Sequence, residues 1–170
     1  MCGLAGHNTT KQKNFANDAI LAQLAHRGPD AQAHWGEEGI DLYHSRLSII
    51  DTDERANQPF HDHSGRYVLV FNGEIYNHLE LRQALHTPGY GSVWRGHSDT
   101  ETLLAAFECW GLEETLRRVM GMFAIALWDQ QIEKLILARD RICKKPLFYA
   151  WHGDVLLFGS EIQAILAWPS

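Results

Sequence analysis

Cys2 stands directly behind the initiator methionine and ahead of Gly3. Once Met1 is removed, which a small second residue permits, Cys2 carries a free α-amino group beside its own thiol. Such an amine has a reference pKa of ~7.7 to 8 and a thiol one of ~8.5, so near neutral pH the neutral amine, directly or through a water, can take the thiol proton. Nucleophile and base then share one residue, and no separate histidine is required. Gly3 and Gly6 let backbone approach such a terminus without side-chain obstruction. The competing reading makes Cys2 a small buried hydrophobe that merely begins a strand. Other residues with chemical capacity are spread along the chain. Arg46 has a planar fork suited to a carboxylate, or a stem that simply lies on a sheet. Asn72-Gly73 is the strongest short hairpin signal in the sequence, because both residues tolerate positive φ. Asp99 falls where a helix's first turn favours an acid for dipole reasons alone. His61-Asp62-His63 invites a metal, but beside Ser64-Gly65 it reads as a solvated loop, with no second ligand cluster at suitable spacing.

The elements that must position these residues follow from pattern. The 170 residues, 45% of them hydrophobic, suffice for one domain with a full core. Fifteen basic against 21 acidic residues, net charge −6, argue against a surface that tracks nucleic acid or anionic lipid. Cys2, Cys109 and Cys143 are odd in number and widely spaced, which excludes a disulfide framework or a paired zinc site and fits a cytoplasmic protein. No apolar run approaches the ~18 residues of a membrane span, and nothing ahead of Cys2 could be a signal peptide. A short first strand precedes a helix over Phe15–Ala25, where Ala16, Ile20 and Leu24 recur four apart and Gly28-Pro29 supplies the stop. Ala31–Ile50 reads as a hairpin broken at Glu38-Gly39, its second arm containing Leu42, His44 and Arg46. Tyr67–Phe71 is a continuous apolar run, hence a central strand covered on both sides. Helix starts are expected at Asn77 with Glu80, Ser98 with Glu101 and Ser160 with Gln163, the second helix running through Leu103, Phe107 and Trp110 to Gly111. Four later apolar runs, "MFAIALWD", "EKLILARD", "LFYAWHGD" and "VLLFGSE", read as a consecutive antiparallel meander. Clustered strands with segregated helices make an α+β layered domain.

The segments "HRGPD", "SRLSIID", "FNGEIYN", "SDTE", "GMFAIALWD", "ARDRICKKPLFY" and "SEIQAIL" occur together and in order. This set resembles the glutamine amidotransferase domain of glutamine-dependent asparagine synthetases, across essentially the whole of residues 1–170. That family belongs to the N-terminal nucleophile hydrolases, so the resemblance implies a four-layer αββα sandwich of two antiparallel sheets flanked by helices. It also implies hydrolysis of glutamine's side-chain amide, with Cys2 as catalytic nucleophile and Asn72 and Gly73 as the oxyanion hole. Arg46 would receive the substrate α-carboxylate, Asp99 and Glu74 its α-ammonium, and the backbone at Leu47 and Ile49 would add contacts. His26 and Arg27 match a segment near the glutamine pocket.

The implied partners are L-glutamine and an ATP-dependent synthetase domain or chain that receives ammonia; a homo-oligomer stays open. No cofactor and no metal are expected for the glutaminase half, and ATP and magnesium only for the synthetase half, which the chain lacks. One departure stands out. Where the family commonly has glycine between "DR" and "KPL", this chain has Ile142-Cys143-Lys144-Lys145, so a backbone conformation that glycine eases is in question there. Two rival functions remain: an amidotransferase half for another acceptor, such as a cell-surface sugar or peptide, and a non-catalytic module that keeps the fold.

Overall fold

The computed structural model describes residues 1–9, 17–85 and 94–168. The elements run β1 (Gly3–Asn8), α1 (Asn17–Leu24), β2 (Ala31–Glu37), β3 (Ile40–Arg46), a 3-10 turn (Glu54–Ala56), β4 (Phe60–His61), β5 (Tyr67–Ile75), α2 (His78–Ala84), α3 (Asp99–Arg118), β6 (Gly121–Asp129), β7 (Lys134–Arg139), β8 (Phe148–His152), β9 (Val155–Gly159) and α4 (Ile162–Leu166). They form two antiparallel sheets, one ordered β2-β3-β1-β9-β8 and the other β4-β5-β6-β7. Residues 15 and 16 of the expected first helix lie outside the described residues.

Side-chain alternation along each strand sorts the core into layers. On β5, Tyr67, Leu69, Phe71 and Ile75 join Leu81 of α2 and Leu103, Leu104 and Phe107 of α3 in one cluster. The intervening Val68 and Val70 turn the other way and meet Leu4, Ile40, Leu42 and Phe158 of the five-stranded sheet. The outer face of that sheet, through Ala5, Tyr43, Val155 and Leu157, packs on Ile20 and Leu24 of α1 and on Ala164 of α4. Helices, sheet, sheet, helices is the αββα sandwich, and β5 is the two-sided interior strand that its unbroken apolar run predicts.

Several local expectations need correction. The four late runs are not a meander: β6 and β7 pair in one sheet, β8 and β9 in the other, and the chain changes sheets between Arg139 and Phe148. A run pattern encodes strands but not the sheet each joins, and this eight-residue connection is folded around the carboxylate of Asp140. Asn72-Gly73 is not a turn; it lies inside β5, opposite Ala124 and Phe123. Pairing with β6 along all nine residues outweighs a two-residue turn preference.

Helices follow all three expected starts, but only Ser98 caps with its side chain, its Oγ accepting from Glu101 N–H at 3.2 Å, while the Glu101 carboxylate accepts from Arg95 and Gly96 N–H instead of reaching back to Ser98. Asn77 instead donates to the Arg118 carbonyl and accepts from Met120 N–H, fastening α2 to the junction of α3 and β6. Ser160 accepts from Leu4 N–H at 3.2 Å, and α4 begins after it, at Ile162. Gly111, at φ 75°, breaks the helical geometry where the sequence predicts a stop, but helix resumes as far as Arg118. The Glu38-Gly39 hairpin forms as read, with Gly39 at φ 86°.

Candidate active site

The same alternation that builds the inter-sheet core also builds the site, because polar residues replace apolar ones at one end of it. On β5 the inward row Val68, Val70 continues into Asn72 and Glu74, and on β3 the row Ile40, Leu42 continues into His44 and Arg46. Leu4 of β1 is preceded on its own face by Cys2. The register Gly3↔Ser45 sets Cys2 next to Arg46 and Leu47. These row ends surround a cavity of about 260 Å³, lined by Cys2, Arg46, Leu47, Ile49, Asn72, Gly73, Glu74 and Asp99 among others. All eight sequence-predicted site residues therefore meet in one place.

Cys2 is pinned from two sides. Leu47 N–H donates to its Sγ at 3.4 Å, and the Leu47 carbonyl lies 3.6 Å from the same sulfur. Arg27 Nε donates to the Cys2 carbonyl at 3.0 Å, while its other end is paired with Glu161, which His26 also approaches at 3.6 Å. Cys2 is the only cysteine that lines the cavity among the described residues; Cys109 and Cys143 are exposed elsewhere.

The wall opposite Cys2 is an open strand edge. In an antiparallel ladder, alternate residues turn their N–H groups away from the partner strand. The bonds from Tyr76 N–H to the Met120 carbonyl and from Gln130 N–H to the Arg66 carbonyl fix the phase, so Phe71, Gly73 and Ile75 point away from β6. β4 covers only Val68 and Leu69. Beyond it, side chains take over: Gln58 Oε1 accepts from Phe71 N–H at 2.6 Å and Asp99 Oδ2 from Ile75 N–H at 2.9 Å. Between them, Gly73 N–H meets no acceptor among the described residues. The neighbouring Asn72 Nδ2 is buried and likewise has no partner. Two unspent donors on a cavity that a thiol also lines can receive negative charge there. Glycine is required here, because a Cβ at position 73 would lie 2.2 Å from the Met122 carbonyl oxygen.

Charge at the far end is mixed. Arg46 is buried, not the surface cation its type suggests, and its guanidinium donates to the Asp53 carbonyl at 2.9 Å, to Asn57 Oδ1 at 2.7 Å and to the Asp51 carbonyl. It thereby holds the segment that carries Ile49 and Ile50, which are 61% and 44% exposed at the cavity rim. Burial pushes the Asp99 carboxyl up to about 6, and the charge of Glu74 adds to this against the pull of backbone donors from Ile75, Thr100 and Asp99 itself.

Other participants escaped the sequence reading. His44, fully enclosed between the sheets, contacts the Phe71 carbonyl through Nε2 at 3.2 Å, and burial drives its pKa down to about 4, so it is neutral. Gln58 joins β5 to α3, donating to Thr100 Oγ1. Neither carries a sequence signal, since their partners are remote. Asp140, within "ARDR", accepts from the N–H groups of Phe123, Ile142, Lys144 and Lys145. Burial works against its charge, but those backbone donors outweigh it and hold the carboxyl below its usual range. Cys143, in the place where glycine is usual, adopts φ 58°, so the turn keeps a left-handed conformation without the residue that eases it. His61-Asp62-His63 lies away from the cavity; Asp62 accepts from Tyr67 N–H and Ser64 and organises the turn before β5.

A family model described as "Glutamine amidotransferase domain" matches residues 1–170. The chain belongs to that family. The amidotransferase domain is 39% identical over 175 residues to asparagine synthetase [glutamine-hydrolyzing] 3 of Bacillus subtilis, covering 99% of this chain and 28% of the relative. It is 37% identical over 182 residues to amidase chry2 of Gibberella zeae, covering 98% and 26%. The domain thus spans about a quarter of the length of the curated relatives it matches. Among solved structures, the glutamine phosphoribosylpyrophosphate amidotransferase of B. subtilis, complexed with ADP and GMP, superposes with a TM-score of 0.75 at 22% identity, covering 98% of this chain and 43% of that one. That likeness establishes the shared layered fold. In the amidotransferase domain, the described residues include no helix long and apolar enough to cross a membrane.

Proposed function

We propose that the domain hydrolyses the side-chain amide of L-glutamine to glutamate and ammonia, with Cys2 as an N-terminal nucleophile after loss of Met1. The observation that carries this reading is the pair of unpartnered donors, Asn72 Nδ2 and Gly73 N–H, at the cavity that Cys2 lines. The liberated α-amine takes the thiol proton as Sγ bonds to the amide carbon, and the carbonyl oxygen becomes an anion held by the two donors. The C–N bond then breaks, the amine returns the proton to the leaving nitrogen, and ammonia departs from a thioester. Water, deprotonated by the same amine, adds to the thioester and restores the thiol.

Arg46 receives the α-carboxylate with the donors its loop contacts leave over. Asp99 and Glu74 receive the α-ammonium, and Leu47 and Ile49 border the substrate. Nucleophile, base, anion site and water complete this half-reaction; in this reading ATP and magnesium act only at a synthetase half. Ammonia passes to that ATP-dependent site, of the asparagine-synthetase type, a destination supported by the names of the relatives. The amidase relative supports a second reading of the acceptor alone, since a different acceptor would use the same glutaminase residues.

The test is reaction of the Met1-free protein with a glutamine-mimicking electrophile, followed by peptide mass mapping. Label on Cys2, together with loss of glutamine hydrolysis by about 10⁴-fold in Cys2→Ala, is expected. Label confined to Cys109 or Cys143, or full activity in Cys2→Ala, overturns the reading.

A further inference from the structure

The cavity contains a cation to which the reaction above gives no task. Lys145 is 4% exposed and lines the same cavity as Cys2. Its Nζ donates to Met1 Sδ at 3.1 Å, and among the described residues no carboxylate pairs with it. Burying an ammonium against a thioether alone is unfavourable, so its placement calls for a compensating use.

That placement is rigid. The backbone N–H groups of Lys144 and Lys145 both donate to Asp140, at 2.9 and 3.1 Å, and the same carboxylate takes Phe123 N–H from β6. The left-handed turn at Cys143 brings these donors onto one side. Met1 Sδ is joined to the Cys2 nitrogen through the Met1 side chain and carbonyl alone. Cleavage of the Met1–Cys2 bond therefore removes the partner of Nζ and creates an α-amino group in the same neighbourhood.

Resting on the N-terminal nucleophile reading, we propose that Lys145 is a positioning residue whose fixed positive charge keeps the liberated amine of Cys2 uncharged, and so able to accept the thiol proton. Two ammonium groups facing one small cavity repel, and the exposed-chain pKa of one must fall. An α-amine has the lower reference value of the two kinds of amine, so the liberated amine of Cys2 is the group that gives up its proton. Other charges face the same space: Glu74 from β5, Asp99 from α3, Asp51 and Arg46 from the 46–57 segment, and Lys144 from the Asp140 turn, while Arg27 reaches the Cys2 carbonyl. Bound glutamine occupies Glu74 and Asp99 with its own ammonium, which leaves the cations dominant around Cys2.

The experiment compares Met1-free parent, Lys145→Met, Lys145→Gln and Lys145→Arg enzymes, each confirmed by intact mass. It measures kcat at saturating glutamine, which reports the glutamine-bound enzyme and is free of the Asp99 effect on KM, and the rate of electrophile labelling at Cys2, from about pH 6 to 9.5. In both neutral variants the acid limb moves up by about one pH unit, a loss of about 10-fold at pH 6.5 that closes to within about 2-fold at pH 9. Lys145→Arg restores the parent limb. An unmoved limb in a neutral variant, with activity lowered evenly at every pH, assigns Lys145 a packing role and overturns the proposal. If the parent labels at Cys2 normally, only this inference fails; if it does not label there, the nucleophile reading fails and takes this inference with it.

Discussion

The two walls of the cavity are built on different principles. The β5 wall is a strand whose inner edge is paired with β6 through Ile75, whose outer N–H groups are satisfied on either side of Gly73, and whose side chains are nearly all buried. The wall from Leu47 to Asn57 has no sheet pairing, exposes Ile49 and Ile50, and is gathered chiefly by the guanidinium of Arg46 onto backbone carbonyls. Donors aimed at a developing charge gain most when nothing must move during reaction, so the stiff wall suits chemistry. The other wall suits recognition, because the cation that would bind substrate is the one that already organises the loop. Three of the five Arg46 N–H donors hold the loop, and the remaining two are those that substrate can engage.

Breaking the stiff wall is expected to have the larger effect. Asn72→Ala removes one donor and should lower kcat by about 10²- to 10³-fold with little change in KM, measured by steady-state glutaminase assays. A large rise in KM at unchanged kcat would reverse the assignment of the walls. Arg46→Lys keeps the charge but loses the planar fork, and should reduce kcat/KM by about 10- to 100-fold, mostly through KM. Greater protease cleavage between residues 47 and 57 in the same variant would show the loop loosening with it.

Recognition also carries a pH signature, set by Asp99 of α3 where it adjoins the β5 wall. Asp99 is raised to about 6, so below that pH it is protonated and, in the role proposed for it, would lose its attraction for a substrate ammonium. KM for glutamine should therefore rise as pH falls through about 6, by up to about 10-fold, and Asp99→Asn should be weak at all pH values and lack this rise. The smallest effect lies at the turn behind Lys145. Cys143→Gly relieves a left-handed non-glycine residue on the surface and should stabilise the protein by about 1 kcal/mol, raising Tm by about 2–4 °C in a thermal melt, with kcat/KM unchanged.

The strands and helices were legible wherever periodicity and side-chain size sufficed. The two-sided strand at Tyr67, the Glu38-Gly39 hairpin and the Ser98 cap all form as their local patterns predict. Misreadings arose where a remote partner decides. Asn77 and Ser160 have the right side chains for capping, but Arg118, Met120 and Leu4 claim them instead. The site residues were legible as a motif set, and all eight converge. His44, Gln58 and Lys145 were not, because each acts through a contact on another strand, helix or chain end that no spacing within its own segment reports.

Residue order alone determined the alternating row of Leu42, His44 and Arg46 and the two-sided run Tyr67–Phe71, since a strand's side-chain period is a local property of the backbone. Only the tertiary structure decided that Cys2, Arg46, Asn72 and Glu74 meet at one end of the sandwich, that Gly73 lies in a strand edge instead of a turn, and that Lys145 is enclosed beside the chain terminus. Those outcomes depend on which sheet each strand joins and which acceptors remain after pairing, and burial of the whole core selects them together.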